Sequence, residues 1–265
     1  VFTIPSELRP LFLRNKKLCY SFLFKASSET LKEVAQSSGH LGADIGFIGV
    51  LHTWGQNLVD HPHIHYIVPG GGLNKKKTKW IHCPKDYFLP IKVLSKIFRA
   101  KMLKLIRSAY DNNEFKIIGE IDQLSNYNIF NELMMTLASK DWVVYSKKPF
   151  AGPEQVINYL GGYTHRIAIS NFRLVKIEGE KIFFKVRDKD NPGKSKVISL
   201  HVKEFMRRFL LHVLPRGFMR IRHFGILGNR YKKEKIALIR MLENIIIELK
   251  SKEAEDWKDL LKRVT

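Results

Sequence analysis

The apolar positions of the chain change period several times, and each change predicts an element. Val1, Phe2 and Ile4 open as a short strand. Ser6 to Arg14 and Leu18 to Ser38 then carry apolar residues at three- and four-residue intervals, the pattern of helices with one buried face, and Gly39 ends the second. Between Asp44 and Trp54, Ile45, Phe47, Ile48, Val50 and Leu51 are too continuously apolar and too often branched for a surface helix, which predicts a central strand. Gly55 to Asp60 is polar and turn-like. From His61 to Pro69 the pattern alternates with period two, placing His63, His65 and Ile67 on one face and Ile64, Tyr66 and Val68 on the other. Two such strands joined by a short polar link predict an antiparallel hairpin.

Gly70, Gly71 and Gly72 break the second strand, and Lys75, Lys76, Lys77 and Lys79 form a basic loop before a short strand at Trp80 to His82. Helical spacing returns over Ile91 to Tyr110 and Asn128 to Ser139, with a strand expected at Trp142 to Ser146. Gly152, Pro153 and Glu154 read as a helix start leading through Val156, Ile157, Tyr159, Leu160 and Tyr163. Ala168 to Leu200 is strand-like, with turns near Glu178 to Glu180 and Asp188 to Ser195. Helices are expected at Val202 to Val213, Tyr231 to Leu249 and Ala254 to Lys262. The chain is thus of α+β class: a central antiparallel sheet with flanking helices and a helical C-terminal extension, divided at about 1–200 and 201–265.

Composition narrows the partner. The 265 residues are 45% hydrophobic, enough for one large domain with appendages, and 46 Lys and Arg against 25 Asp and Glu give a formal charge of +21. A polyanion is the natural partner of such a chain. No stretch approaches the roughly 20 uninterrupted apolar residues of a membrane-spanning helix, and the basic residues are spread rather than gathered beside an apolar anchor, so no membrane partner is expected. Cys19 and Cys83 offer neither a disulfide framework nor a metal knuckle, which fits a reducing, cytoplasmic compartment. Val1 already lies inside an apolar segment, so a natural start further upstream is expected.

Two constellations carry candidate chemistry. In His52-x10-His63-x-His65, residues 63 and 65 face the same way from one strand, so both imidazoles can meet one ion while Ile64 points to the core. His52, across the turn, can supply a third. Such an ion would polarise a phosphodiester; three imidazoles suit a transition metal, and a site completed by phosphate oxygens also suits Mg²⁺ or Mn²⁺. In Tyr159-Leu160-Gly161-Gly162-Tyr163 the tyrosines stand one helical turn apart on one face, so both hydroxyls can reach one site. A phenol whose proton is drawn off can attack phosphorus and keep the bond as a phosphotyrosine, with no nucleotide cofactor. The same spacing also fits two core aromatics, but paired glycines weaken a helix by about 1 kcal/mol each and favour close approach of another backbone, DNA for one.

His-Pro-His-Ile-His at His61 to His65 with the glycine run after it, YLGGYTHRIAISNFRL at Tyr159 to Leu174, LHTWGQN at Leu51 to Asn57 and LPRGFMRIRHFGILGNR at Leu214 to Arg230 together resemble the two-tyrosine His-hydrophobic-His transposases of the insertion sequence 91 family. The likeness covers Phe2 to about Leu242. It implies the HUH endonuclease fold, rolling-circle transposition in a bacterial, nucleoid-associated setting, and nicking and rejoining of single-stranded DNA at element ends through a 5′-phosphotyrosine and a free 3′-OH, with a divalent metal, Mg²⁺ or Mn²⁺. Carried onto this chain, His63 and His65 are metal ligands and Tyr159 and Tyr163 nucleophiles. His52 is preferred as third ligand because its spacing resembles that of conjugative relaxases, with Gln56 in reserve. Gly162 stands where relatives often have Arg. Relatives tend to carry an upstream Cys-rich zinc-binding segment that this chain does not contain.

Arg166, Arg173, Lys176, Arg220, Arg222 and Arg230, with Arg216, cluster in these blocks as candidate phosphate contacts, and Trp54, Tyr66, Phe172 and Phe224 are candidate base-stacking rings of which half or more are expected to belong to the core. A relaxase or replication initiator with the same chemistry, and a non-catalytic basic DNA-binding protein, are the alternative readings. The paired tyrosines favour the transposase.

Overall fold

A computed structural model describes residues 1–84, 88–147, 154–156, 161, 168–188, 190–191 and 193–245. Its main sheet has four strands in the order β1 (Phe2–Thr3), β3 (Asp60–Ile67), β2 (Gly46–Trp54), β9 (Ile221–Gly225), each neighbouring pair antiparallel. The expected hairpin is β2–β3, registered with Leu51 opposite Ile64 and His52 opposite His63. Opposed residues share a face. Phe47, Leu51, Ile64 and Tyr66 therefore look one way, towards the helices, and His52, His63 and His65 look the other.

Helices α1 (Arg9–Arg14), α2 (Lys16–Gln36), α3 (Ile91–Asp111) and α4 (Tyr127–Ser139) build the principal core with this sheet. The spacing that predicts them is the spacing that is buried: Tyr20, Leu23, Phe24, Leu31 and Val34 on α2, and Leu94, Phe98, Met102, Ile106 and Ala109 on α3. Full burial of each large apolar side chain contributes about 1.5–3 kcal/mol. Asn126 caps α4, its side chain accepting from the amides of Asn128 and Ile129.

The glycine run is a packing device. Gly71 and Gly72 lie in β4 (Gly71–Leu73), paired with β5 (Trp80–His82), and a Cβ on Gly72 would sit 2.5 Å from the carbonyl oxygen of Asp44. At the same N-terminal end of β2, Gly225 has φ +59, and a Cβ there would meet the Ile45 carbonyl oxygen at 2.0 Å.

A second, smaller core follows. Strands β6 (Leu174–Glu178), β7 (Lys181–Arg187) and β8 (Ser195–His201) form an antiparallel sheet. Ile182, Phe184 and Val186 on one face of β7 pack with Ala168 and with Phe205 of α5 (Val202–Leu211). Leu58, from the β2–β3 turn, is fully buried in this same core. Its φ of +60 is unfavourable for a branched side chain by roughly 1–2 kcal/mol. Burial of the side chain offsets a cost of that size.

Two expectations are corrected. Trp142–Ser146 is not a full strand: it runs beside β1, which is only two residues long, through the pairs Thr3–Val143 and Tyr145–Val1, while the Trp142 indole turns inward to donate to the Leu137 carbonyl. The C-terminal stretch is not purely helical. Between α5 and α6 (Lys232–Leu242) it contributes β9 to the main sheet, an element hidden in the sequence because Arg222 occupies a helix-facing position, its guanidinium 4.3 Å from the Phe24 ring and 4.9 Å from that of Phe218. The expectation that half or more of the candidate stacking rings are core is met by Tyr66 and Phe224, which pack against the principal core. The expected helix over Tyr159 and Tyr163 lies mostly outside the described residues, within which Glu154, Gln155 and Val156 are helical; the helix expected at Ala254 to Lys262 lies wholly outside them.

Candidate metal centre

The cross-strand register gathers three imidazoles. His52 stands opposite His63 and diagonal to His65, with ring centroids 5.4 and 4.6 Å away, and the His63 and His65 rings are 5.0 Å apart. Their ligating nitrogens all fall within 4.8 Å of one another, so modest ring rotation would bring them around one ion. Gln56, the reserve candidate, is exposed at the hairpin tip.

The surroundings favour the neutral, ligating form. Burial depresses all three, His52 to about 2, His63 to about 4 and His65 to about 3, with the neighbouring imidazoles adding to the depression of His52 and His65. The His63 Nδ1 lies 2.6 Å from the carbonyl oxygen of His61. A carbonyl only accepts, so Nδ1 carries the hydrogen and Nε2 keeps the lone pair that a metal needs. This donor set fits a divalent ion: three uncharged nitrogens on one sheet face, a set that oxygen ligands from a phosphate can complete.

A stack backs His52. The Trp54 ring lies parallel to His52, 4.8 Å between centroids at 16°, and the Arg220 guanidinium sits 5.0 Å from the Trp54 ring while its Nε donates to the Leu51 carbonyl. Arg220 is thus half-buried beside the imidazoles, and Trp54 is packed on one of them. Arg222 points to the opposite, helix-covered face. Arg173 donates to the backbone of Lys185 and Gln56, Lys176 pairs with Glu178, and Arg216 and Arg230 are exposed, Arg230 against the Tyr231 ring. Phe172 is 91% exposed and open to a partner. Tyr159, Tyr163 and Arg166 lie outside the described residues.

The family model described as "Putative transposase" matches residues 46–235, which include both strands of the hairpin. The chain belongs to the insertion sequence 91 family of transposases. Among its relatives in that family, the protein named "Putative transposase y4qJ" of Sinorhizobium fredii (strain NBRC 101917 / NGR234) is 48% identical over 242 residues, 91% of this chain and 61% of the relative. The "Transposase for insertion sequence element IS801" of Pseudomonas savastanoi pv. phaseolicola is 27% identical over 244 residues, 87% of this chain and 54% of the relative. The chain therefore spans little more than half the length of these curated transposases. No solved structure matches it. Among the described residues, no helix is long and apolar enough to cross a membrane.

Two polar groups stand beside the histidine cluster: His61, whose neighbourhood to the three histidines the sequence already marks as a supporting position, and Asp60, which sequence reasoning missed. His61 has its Nδ1 3.2 Å from an Arg9 guanidinium nitrogen, so the ring accepts there. Asp60, at the start of β3, is 5% exposed, and neither carboxylate oxygen has a hydrogen-bond partner among the described residues. Burial lifts its carboxyl to about 7, opposed in part by Lys16 and Arg9. A run of polar residues in a predicted turn gave no sign of this burial. Because the folded value lies above the unfolded one, the stability tied to the neutral acid is present at low pH and is lost as pH rises towards 7. Asp60→Asn, which stays neutral, should therefore raise the melting temperature by several degrees at pH 8 and by much less at pH 4.5, as measured by thermal unfolding at both values.

Proposed function

We propose that this chain is the strand-cutting and strand-joining part of a rolling-circle transposase with an HUH endonuclease fold, acting on single-stranded DNA at element ends. The observation that carries the reading is the convergence of His52, His63 and His65 as neutral imidazoles on one face of the β2–β3 hairpin, in a chain that belongs to a transposase family. These histidines would hold Mg²⁺ or Mn²⁺, which supplies Lewis-acid polarisation of the scissile phosphate.

In the proposed step the phenol oxygen of Tyr159 or Tyr163 forms a bond to phosphorus as the bond from phosphorus to the 3′ oxygen breaks. The phenol proton is lost and the departing 3′ oxygen gains one. One phosphodiester replaces another, so the reaction needs no energy source, and a 3′-OH attacking the phosphotyrosine reverses it on a new strand. Two tyrosines allow two linked transfers. Arg220, close to the imidazoles, and the exposed Lys176, Arg216 and Arg230 are the described cations we assign to the phosphates. Arg222, on the other face, is left out of this grip, and Arg166 stays in it on the family resemblance.

The test is covalent capture. The chain incubated with end-labelled single-stranded DNA and Mn²⁺, then run on a denaturing gel, should yield a protein–DNA adduct that is absent with EDTA. Binding should weaken with salt by a logarithmic slope of about 0.7 per engaged phosphate. Retention of DNA with no adduct under any divalent metal would leave a basic DNA-binding protein and remove the enzyme.

A further inference from the structure

The tip of the metal-binding hairpin is held from outside by three successive contacts. The Arg173 guanidinium donates to the carbonyl of Gln56, that of Arg208 to the carbonyl of Asn57 at 3.1 Å, and the His212 Nε2 to the carbonyl of Leu58 at 3.0 Å. Each of these side chains is itself oriented. The Arg173 Nε donates to the Lys185 carbonyl at 2.7 Å, and the Arg208 Nε to a Glu204 carboxylate at 2.6 Å. His212, 2% exposed, must carry its hydrogen on Nε2 to serve a carbonyl, so its Nδ1 accepts from the Thr53 hydroxyl at 3.2 Å. Thr53 follows His52 directly.

In an ordinary hairpin of this length the tip carbonyls face water, and the turn is among the most mobile parts of the fold. Here they are bound to the unit built from residues 168–212, and Leu58 is driven into that unit's core at φ +60. A branched residue in the left-handed region persists where its surroundings over-determine it, which is characteristic of positions that serve a site. The tip also adjoins the irregularity between His52 and Trp54, where β2 and β3 fall out of simple register. Slippage there would move His52 relative to His63 and His65.

We propose that Leu58, Arg173, Arg208 and His212 are positioning residues that lock the hairpin tip and thereby set the spacing of the three histidines. The inference rests on the metal-site reading above and assigns the 168–212 unit a task in addition to any contact with DNA: it is the clamp that keeps the metal face pre-formed. Arg173, read from sequence as a phosphate contact, acts in this proposal through the hairpin.

The experiment titrates Mn²⁺ alone into the full chain, followed by calorimetry and by the spin resonance of free Mn²⁺, with Co²⁺ absorption reporting ligand geometry. The Arg173→Ala/Arg208→Ala double variant should keep its far-ultraviolet dichroism, bind Mn²⁺ about tenfold more weakly and show a changed Co²⁺ band, on the scale by which groups behind metal ligands act. Arg208→Lys, which retains one donor for the Asn57 carbonyl, should recover much of the loss that Arg208→Ala causes. Hydrogen exchange should quicken at the amides of Gln56 to Val59 in the double variant. If that variant fails to fold, Arg208→Met, which keeps the stem and loses the donors, carries the same readouts. A folded variant with Mn²⁺ affinity and Co²⁺ spectrum matching the unmodified chain overturns the clamp while leaving the metal site standing. An unmodified chain that binds no Mn²⁺, or a His63→Ala chain that binds it equally well, overturns both.

Discussion

Replacing His63 with alanine should lower the rate of covalent DNA adduct formation by about a hundredfold or more and weaken Mn²⁺ binding in parallel, with little change in fold. His63 has its Nδ1–H committed to the His61 carbonyl, so its only free lone pair is on Nε2, on the sheet face away from the principal core. Loss of the ring removes one of three nitrogens from the site but none of the Phe47, Leu51 and Ile64 packing on the other face. Removing a group that merely supports a metal ligand typically costs 10–100-fold, and loss of a ligand should cost at least as much. The pH dependence adds a second check. The imidazoles are held at about 2, 4 and 3, so protons should begin to compete with the metal only below about pH 5, whereas exposed histidines would be displaced near 6.5. The metal-free fold has the matching sign: the unfolded chain takes up protons first, so stability declines as pH falls from 6.5 towards these values. Adduct formation by His63→Ala at the unmodified rate would exclude this histidine from the chemistry.

Much of this site was legible because period-two alternation carries its own geometry. Once His63 and His65 are read as i and i+2 on a strand, their shared face follows, and the polar link Gly55–Asp60 places His52 on the neighbouring strand. The structure adds the register, with His52 opposite His63, which turns a spacing into a cluster. What stayed hidden were residues whose position contradicts their type. Arg222 reads as a surface cation but lies over Phe24 and Phe218, so β9 lost its alternation and was absorbed into a helical region. Leu58 reads as one apolar residue in a polar turn, and the second core that receives it is built from residues more than a hundred positions away. Asp60 reads as turn chemistry and is buried. In each case tertiary contacts more than a hundred residues away, or a helix across the sheet, decided the outcome, and such partners leave no local pattern.

The double replacement Tyr159→Phe/Tyr163→Phe should abolish the adduct altogether while leaving Mn²⁺ affinity and salt-dependent DNA binding close to those of the unmodified chain. Phenylalanine keeps the ring and its packing and removes only the oxygen, so a purely structural role for the pair would leave the adduct intact. Among the described residues, the buried thiol of Cys19 and the hydroxyl of Tyr20 are pushed by burial far above their usual range, so neither is available as an anion in place of that oxygen. The single variants separate two versions of the mechanism. If either tyrosine can make the first cut, each single variant should retain adduct formation but fail to complete a strand transfer that needs two covalent links. If the cuts are ordered, one variant should lose the adduct entirely and the other only the transfer product. Gel separation of adduct from transferred strand, with a labelled acceptor oligonucleotide, reads both. An adduct that persists in the double variant would place the nucleophile elsewhere in the chain and detach the tyrosine pair from the imidazole centre.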